Sequence, residues 1–123
     1  LAEISAGELV DKITILEIKK EKISDEGKLI EVNKELSSLK KTYSDAITPS
    51  TSLENIYLEL LEINKKLWKI EDEKRIAEKE KKFDKNFIEL SRSVYKFNDQ
   101  RSKLKLKINK LLGSNLSEVK SHY

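Results

Sequence analysis

An apolar seam in the last third of the chain constrains the fold more than any other feature of the sequence. Its members are separated by alternating steps of four and three residues, which is the spacing of a helix that packs against other helices. One member, Arg101, is charged, and a guanidinium is costly to bury unless a partner pairs with it. Arg101 therefore marks either a buried ion pair or the edge of a polar site. The apolar members are Phe83, Phe87, Leu90, Val94, Phe97, Leu104, Ile108 and Leu111.

The same spacing recurs in three earlier segments, and the 123 residues include only 3 Gly and 1 Pro, so helix breakers are rare. The segment Ser5–Glu8 has the form of a capping box, which begins a first helix that reaches about residue 23. Asp25 caps a second helix. The single proline then separates it from a third helix, capped by Ser52 and reaching about residue 81. Asp84 begins the fourth, which ends at Gly113.

Short connections make consecutive helices antiparallel. We therefore predict an all-α fold, an antiparallel four-helix bundle of coiled-coil-like hairpins with a short first hairpin and a long second one. Residues 1–113 form a single helical-bundle domain, and residues 114–123 form a C-terminal tail. Aligning the seams places Arg101 in a layer with Leu16, Leu36 and Ile63. Two carboxylates, Glu17 and Glu62, are then within its reach.

The tip of the long hairpin extends past the end of the first helix, so its apolar residues have no partner on helices one and two. Two phenylalanines at an exposed tip are unusual for a monomer. We therefore expect a homodimer, or another protein partner, that uses Ile76, Phe83, Phe87 and Leu90. The alternative is that Phe83 and Phe87 pack on each other within the hairpin.

Polar residues flank the seams of the third and fourth helices, and a Trp and a Tyr lie among the charges. Such a face is a candidate site for an anionic or sugar-like ligand, and the alternative is a salt-bridged network that orients the helices. A cleft between the first, third and fourth helices could contain these candidate ligand-binding residues: Glu17, Trp68, Glu71, Asp72, Arg92, Tyr95, Asn98, Asp99 and Arg101.

Signatures of enzymes and cofactor sites are weak. The chain has no Cys, and its one His, His122, lies in the tail, so we expect no metal, no cofactor and no catalytic residues. Helical pyrophosphohydrolases carry a Glu-x-x-Glu pair followed by a Glu-x-x-Asp pair. Here the order is reversed, with Glu8–Asp11 before Glu59–Glu62, which counts against that activity. Arg101 and Lys20 fit the plan of helical chorismate mutases, but the first helix has no Arg.

The charge pattern bears on macromolecular partners. The net charge is +3 and the signs alternate, so nucleic-acid binding is not expected despite a lysine stripe at Lys103, Lys107 and Lys110. No apolar run approaches the roughly 18 residues of a membrane span. We therefore expect a cytoplasmic protein with no membrane contact.

Three segments resemble a small all-helical family of bacteria and phages that has no established activity. They are SAGELVDKITILEIK, LWKIEDE and SRSVYKFNDQR, and the resemblance covers nearly the whole chain. It implies no catalytic residues. The sequence favours a non-catalytic interaction or assembly module, and the alternative is a small-molecule or anion-binding enzyme that uses the cleft around Arg101.

Overall fold

The computed structural model of the protein describes residues 2–113 and 119–121. Its elements, in chain order, are strand β1 (Ala2–Ile4), helices α1 (Ala6–Lys22), α2 (Glu26–Ala46), α3 (Thr51–Lys79) and α4 (Lys85–Leu112), and strand β2 (Val119–Ser121). Four helices therefore make up almost all of the described chain, which confirms the all-α prediction.

Each helix begins at a polar side chain that accepts a hydrogen bond from the backbone N–H three residues further on. The accepting side-chain oxygens belong to Ser5, Asp25, Ser50 and Asp84, and they lie 3.2, 3.0, 3.1 and 3.2 Å, respectively, from the donating backbone nitrogens. The predicted cap of the third helix, Ser52, is wrong by two residues. Because α3 already begins at Thr51, Ser52 lies in its first turn.

Helix α1 lies at the centre of the packing. It contacts α2, α3 and α4, while α3 and α4 pair with each other as a long antiparallel hairpin. The core lies where the four helices meet, and its fully buried members include Leu9, Val10, Leu39, Leu53, Leu60 and Ile108. This arrangement places one face of α1 against the α3–α4 hairpin and the other against α2.

The start of α1 approaches the backbone of α4 very closely. The Gly7 N–H donates to Asn109 Oδ1 at 2.7 Å. A Cβ at Gly7 would lie only 2.4 Å from the Lys105 carbonyl oxygen, so glycine is required for this approach. The Glu8 carboxylate also pairs with the Lys105 ammonium. The hydrogen bond, the close backbone approach and this ion pair together hold the start of α1 against α4.

The α3–α4 hairpin projects well beyond α1. The last residues of α1 line a cavity with Lys69 and Asp72, and no residue from Asp72 to Arg92, a stretch that includes the whole tip, is buried. The long second hairpin of the sequence prediction is therefore present. At its tip the Phe83 and Phe87 rings meet edge to face, with centroids 5.2 Å apart.

The two strands form a short antiparallel ribbon, in which Ala2, Glu3 and Ile4 pair with Ser121, Lys120 and Val119. This pairing is not predicted from the sequence, where residues 114–123 are a tail, because three residues carry too little periodicity to indicate a strand. The rest of that tail, including His122, lies outside the described residues. Within the described part, no helix combines the length and apolar content needed to cross a membrane.

Candidate functional site

A buried polar network joins α1, α3 and α4 around the carboxylate of Asp11, which is only 1% exposed. Arg101 donates to it twice, from Nε to Oδ1 at 2.8 Å and from Nη2 to Oδ2 at 2.5 Å. Asn64 Nδ2 donates to Asp11 Oδ1 at 2.9 Å and to Thr14 Oγ1 at 2.8 Å. The Thr14 hydroxyl donates to the Asp11 carbonyl oxygen at 2.7 Å. Arg101 is therefore one half of a bidentate ion pair whose other half is fully enclosed.

The predicted partners of Arg101, Glu17 and Glu62, are wrong. Glu17 accepts a hydrogen bond from the Tyr57 hydroxyl and forms an ion pair with Lys40 at 3.1 Å, and Glu62 borders a different cavity. The reason lies at the start of α1. Its close approach to α4 at Gly7 places Asp11 level with Arg101, whereas the predicted layer residue Leu16 lies five residues, or about one and a half turns, further along α1.

The electrostatics of two groups follow from these contacts. The hydrogen bonds to Asp11 raise the pKa of the Arg101 guanidinium above its ordinary value, against the opposing effect of burial. Burial, together with the hydrogen bond to Glu17, raises the pKa of the Tyr57 hydroxyl. Both groups therefore keep their protons at neutral pH, so neither is suited to act as a general base.

A cleft of about 360 Å³ lies beside the network, between α1, α3 and α4. Arg101 borders it, and its Nη1 donates to Asn98 Oδ1 at 3.4 Å. The amide oxygen of the buried Asn64 accepts no hydrogen bond from any described residue. The cleft is lined by Ile15, Ile18, Asn64, Leu67, Trp68, Glu71, Arg75, Asn98 and Arg101. Four of the predicted site residues, Trp68, Glu71, Asn98 and Arg101, are thus brought together.

The charges around this cleft are largely paired. Arg101 is matched by Asp11, and the Arg75 guanidinium pairs with Asp72 on the same helix. Glu71 forms no ion pair with any described residue. The remaining charge is therefore negative, which weakens the case for an anionic ligand.

The other predicted site residues lie elsewhere. Asp72 borders a neighbouring cavity of about 300 Å³ with Trp68, and Glu17 is bonded to Tyr57 and Lys40 instead. Three residues of α4 stand in solvent, away from the cleft. Arg92 pairs with Glu89 at 3.6 Å, Asp99 pairs with Lys103 at 3.1 Å, and Tyr95 is 82% exposed.

Three polar residues of the network, Asp11, Thr14 and Asn64, are absent from the predicted list of candidate residues. A signal exists for the first two, because they lie beside Val10 and Ile13, within the wide apolar face of the first helix. Asp11 and Thr14 are spaced three apart on that helix, so they share a face. Among the described residues, no group of three or more His, Cys, Asp or Glu side chains could hold a metal ion.

Comparison with known proteins gives one match. The model of a family of unknown function, DUF6165, matches residues 1–122, almost the full length of the chain. No curated protein and no solved structure matches it. The resemblance to a family without an established activity, expected from the three sequence segments, is confirmed.

Proposed function

The chain belongs to DUF6165, a family of unknown function, and we propose that it is a non-catalytic interaction module whose projecting α3–α4 hairpin binds protein. The observation that carries this proposal is the stretch of hairpin from Asp72 to Arg92, which contains no buried residue. A two-helix projection buries little of its seam by itself, and contiguous exposed apolar surface marks interaction sites. Its exposed apolar side chains include Ile76, Phe83 and Ile88, which are 57%, 58% and 49% exposed.

The aromatic residues near the tip support the same conclusion. Phe87 is partly covered, since Lys74 lies over its ring at 5.9 Å. Phe83 touches Phe87 edge to face and still exposes more than half of its surface. Packing within the hairpin therefore leaves Phe83 largely uncovered, and a partner would bury it.

The chemistry of the polar groups also favours a non-catalytic role. The network around Asp11 is internally paired, and Arg101 and Tyr57 hold their protons at neutral pH. The chain has no Cys, which suits a reducing compartment, and we place the module in the cytoplasm as part of the same proposal.

Sedimentation of the wild-type chain and of an Ile76→Ser, Phe83→Ser double variant tests whether the tip takes part in self-association. The expected result is association in the wild type that weakens strongly in the variant, with unchanged helix content by circular dichroism. Leu106→Ser is the matched control, because Leu106 is also 57% exposed and lies near the other end of α4. Equal association of all three chains would show that the tip takes no part in self-association.

The cleft beside Arg101 supports a second candidate, a small-molecule-binding site or enzyme. The observation that favours it is the free amide oxygen of Asn64, which lines the cleft together with the Trp68 ring. A ligand with a hydrogen-bond donor and an apolar or aromatic part would fit better than a simple anion, because both arginines of the cleft are already paired.

A thermal-shift screen separates this candidate from the first. Phosphate, citrate, simple sugars and primary amines would be compared on the wild type and on Trp68→Leu and Asn98→Ala variants. A rise in Tm that is lost in both variants would support ligand binding at the cleft. A screen without any shift, or shifts equal in the variants, would argue against it.

A further inference from the structure

The α3–α4 hairpin carries a second groove, on the face turned away from α1. Asn64 and Arg101 reach Asp11 on α1, while Glu62 and Lys103 lie two residues away from them, about 200° around each helix. This groove encloses about 630 Å³ and is larger than the cleft beside Arg101. It is lined by Leu58, Glu59, Glu62, Ile63, Gln100, Lys103, Leu104 and Lys107.

The two walls of this groove carry opposite charges above an apolar floor. The α3 wall contributes Glu59 and Glu62, and the α4 wall contributes Lys103 and Lys107. Glu59, Glu62 and Lys107 form no ion pair with any described residue, and Lys103 pairs only with an exposed Asp on its own helix. Leu58, at the edge of the floor, is 49% exposed. The groove therefore presents an unpaired acidic wall and an available basic wall on either side of apolar surface.

We propose that this groove is occupied by the same groove of a second copy of the chain, around a two-fold axis parallel to the helices. In a two-fold interface the same patch faces itself, so the patch must be self-complementary. An axis parallel to the helices sets α3 of one copy over α4 of the other. Because the acidic and basic walls border one cavity, they lie at the same height and meet twice across such an axis. A perpendicular axis would set glutamates against glutamates, which is unfavourable.

The inference rests on the interaction role proposed above and names the partner of the hairpin. Rotation about an axis parallel to the helices leaves both tips at the same end of the dimer. The two exposed Phe83 side chains therefore lie at one end of the dimer, where they can contact each other or a further partner that binds both tips with an avidity that one tip lacks.

A charge-swap experiment tests the groove. One variant carries Glu59→Lys and Glu62→Lys, and the other carries Lys103→Glu and Lys107→Glu. Each reversal makes both walls alike, so each variant alone should lose dimerisation by about 100-fold or more, since facing like charges oppose association. An equimolar mixture should recover a dimer, because each wholly basic groove can face a wholly acidic one. The readout is sedimentation equilibrium at low salt, with circular dichroism to verify helix content.

The control is Lys34→Glu with Lys41→Glu, which makes the same change in net charge as Lys103→Glu with Lys107→Glu, on exposed lysines of α2. It should dimerise as the wild type does. Persistence of the dimer in both swap variants, a mixture that stays monomeric, or a wild type that is monomeric at the highest soluble concentration would each overturn the inference. Loss of association only in the Ile76→Ser, Phe83→Ser variant would overturn the groove and leave the tip proposal standing. Recovery in the mixture, with no effect of the tip variant, would support the groove and assign the tip no part in self-association.

Discussion

Removal of the Arg101 side chain should destabilise the protein more than removal of the Asp11 side chain, although the two form one ion pair. The Asp11 side chain is 2% exposed and that of Arg101 is 29% exposed. In Arg101→Ala the enclosed carboxylate loses two of its three donors and keeps only Asn64 Nδ2. An uncompensated buried charge of this kind costs about 3–5 kcal/mol of unfolding free energy.

The reverse truncation leaves a less costly defect. In Asp11→Ala the Arg101 guanidinium can turn towards solvent, and Asn64 Nδ2 still donates to Thr14. The expected loss is about 1–3 kcal/mol, the range for a broken buried hydrogen-bond group. The double variant removes the charge that Arg101→Ala strands, so it should be more stable than Arg101→Ala alone. A double variant that is more stable than one of its single variants is the signature of a buried carboxylate left without its partner.

Urea denaturation at neutral pH, followed by circular dichroism and by Trp68 fluorescence, measures all four chains of this double-mutant cycle. Arg92→Ala is the matched control, since Arg92 pairs with Glu89 where both side chains are exposed, and should cost less than about 1 kcal/mol. A loss below about 1 kcal/mol in Arg101→Ala, or a double variant no more stable than Arg101→Ala, would refute the assignment of Asp11 as a buried, Arg-dependent charge.

Two further predictions concern α1 and its neighbours. Gly7→Ala should lower the unfolding free energy by about 1–3 kcal/mol, because the new Cβ would lie 2.4 Å from the Lys105 carbonyl oxygen, which is backbone and cannot turn aside. Gly27→Ala, whose Cβ would meet only the Asp25 carboxylate at 3.3 Å, should change it by less than about 1 kcal/mol in the same urea assay. The raised pKa of Tyr57 means that its contribution to stability is complete below about pH 10, where unfolded tyrosine is protonated, and is lost at higher pH. Urea unfolding at about pH 9 and pH 11 should therefore show a smaller decrease in Tyr57→Phe than in the wild type, and equal decreases would contradict this linkage.

The helices could be predicted from the sequence because their signals are local. Steps of three and four between apolar residues, with Ser or Asp at each beginning, describe a helix whatever it packs against. The four predicted helices are all present, and the error at the third cap is two residues. Part of the cleft was predictable for the same reason. Trp68 and Glu71 share a face of α3, and Asn98 and Arg101 share a face of α4, so pairing the helices brings all four together.

The partner of Arg101 could not be predicted, because it depends on how far α1 slides along α4. Apolar seams tolerate more than one alignment, and the predicted alignment differs from the observed one by about one and a half helical turns. The contact that decides it is the approach of Gly7 to Lys105, which requires a glycine but gives no periodic signal.

The sequence by itself determined four helices, three of their four N-terminal caps and the greater length of the second hairpin, because these follow from residue spacing and capping chemistry along the chain. Only the tertiary structure decided which face of the α3–α4 hairpin α1 covers. That choice encloses Asp11 and forms the cleft beside Arg101 on one side, and leaves the groove between Glu59 and Lys107 open on the other. Both faces carry apolar residues at helical spacing, so the choice depends on packing between distant segments, which local patterns do not encode.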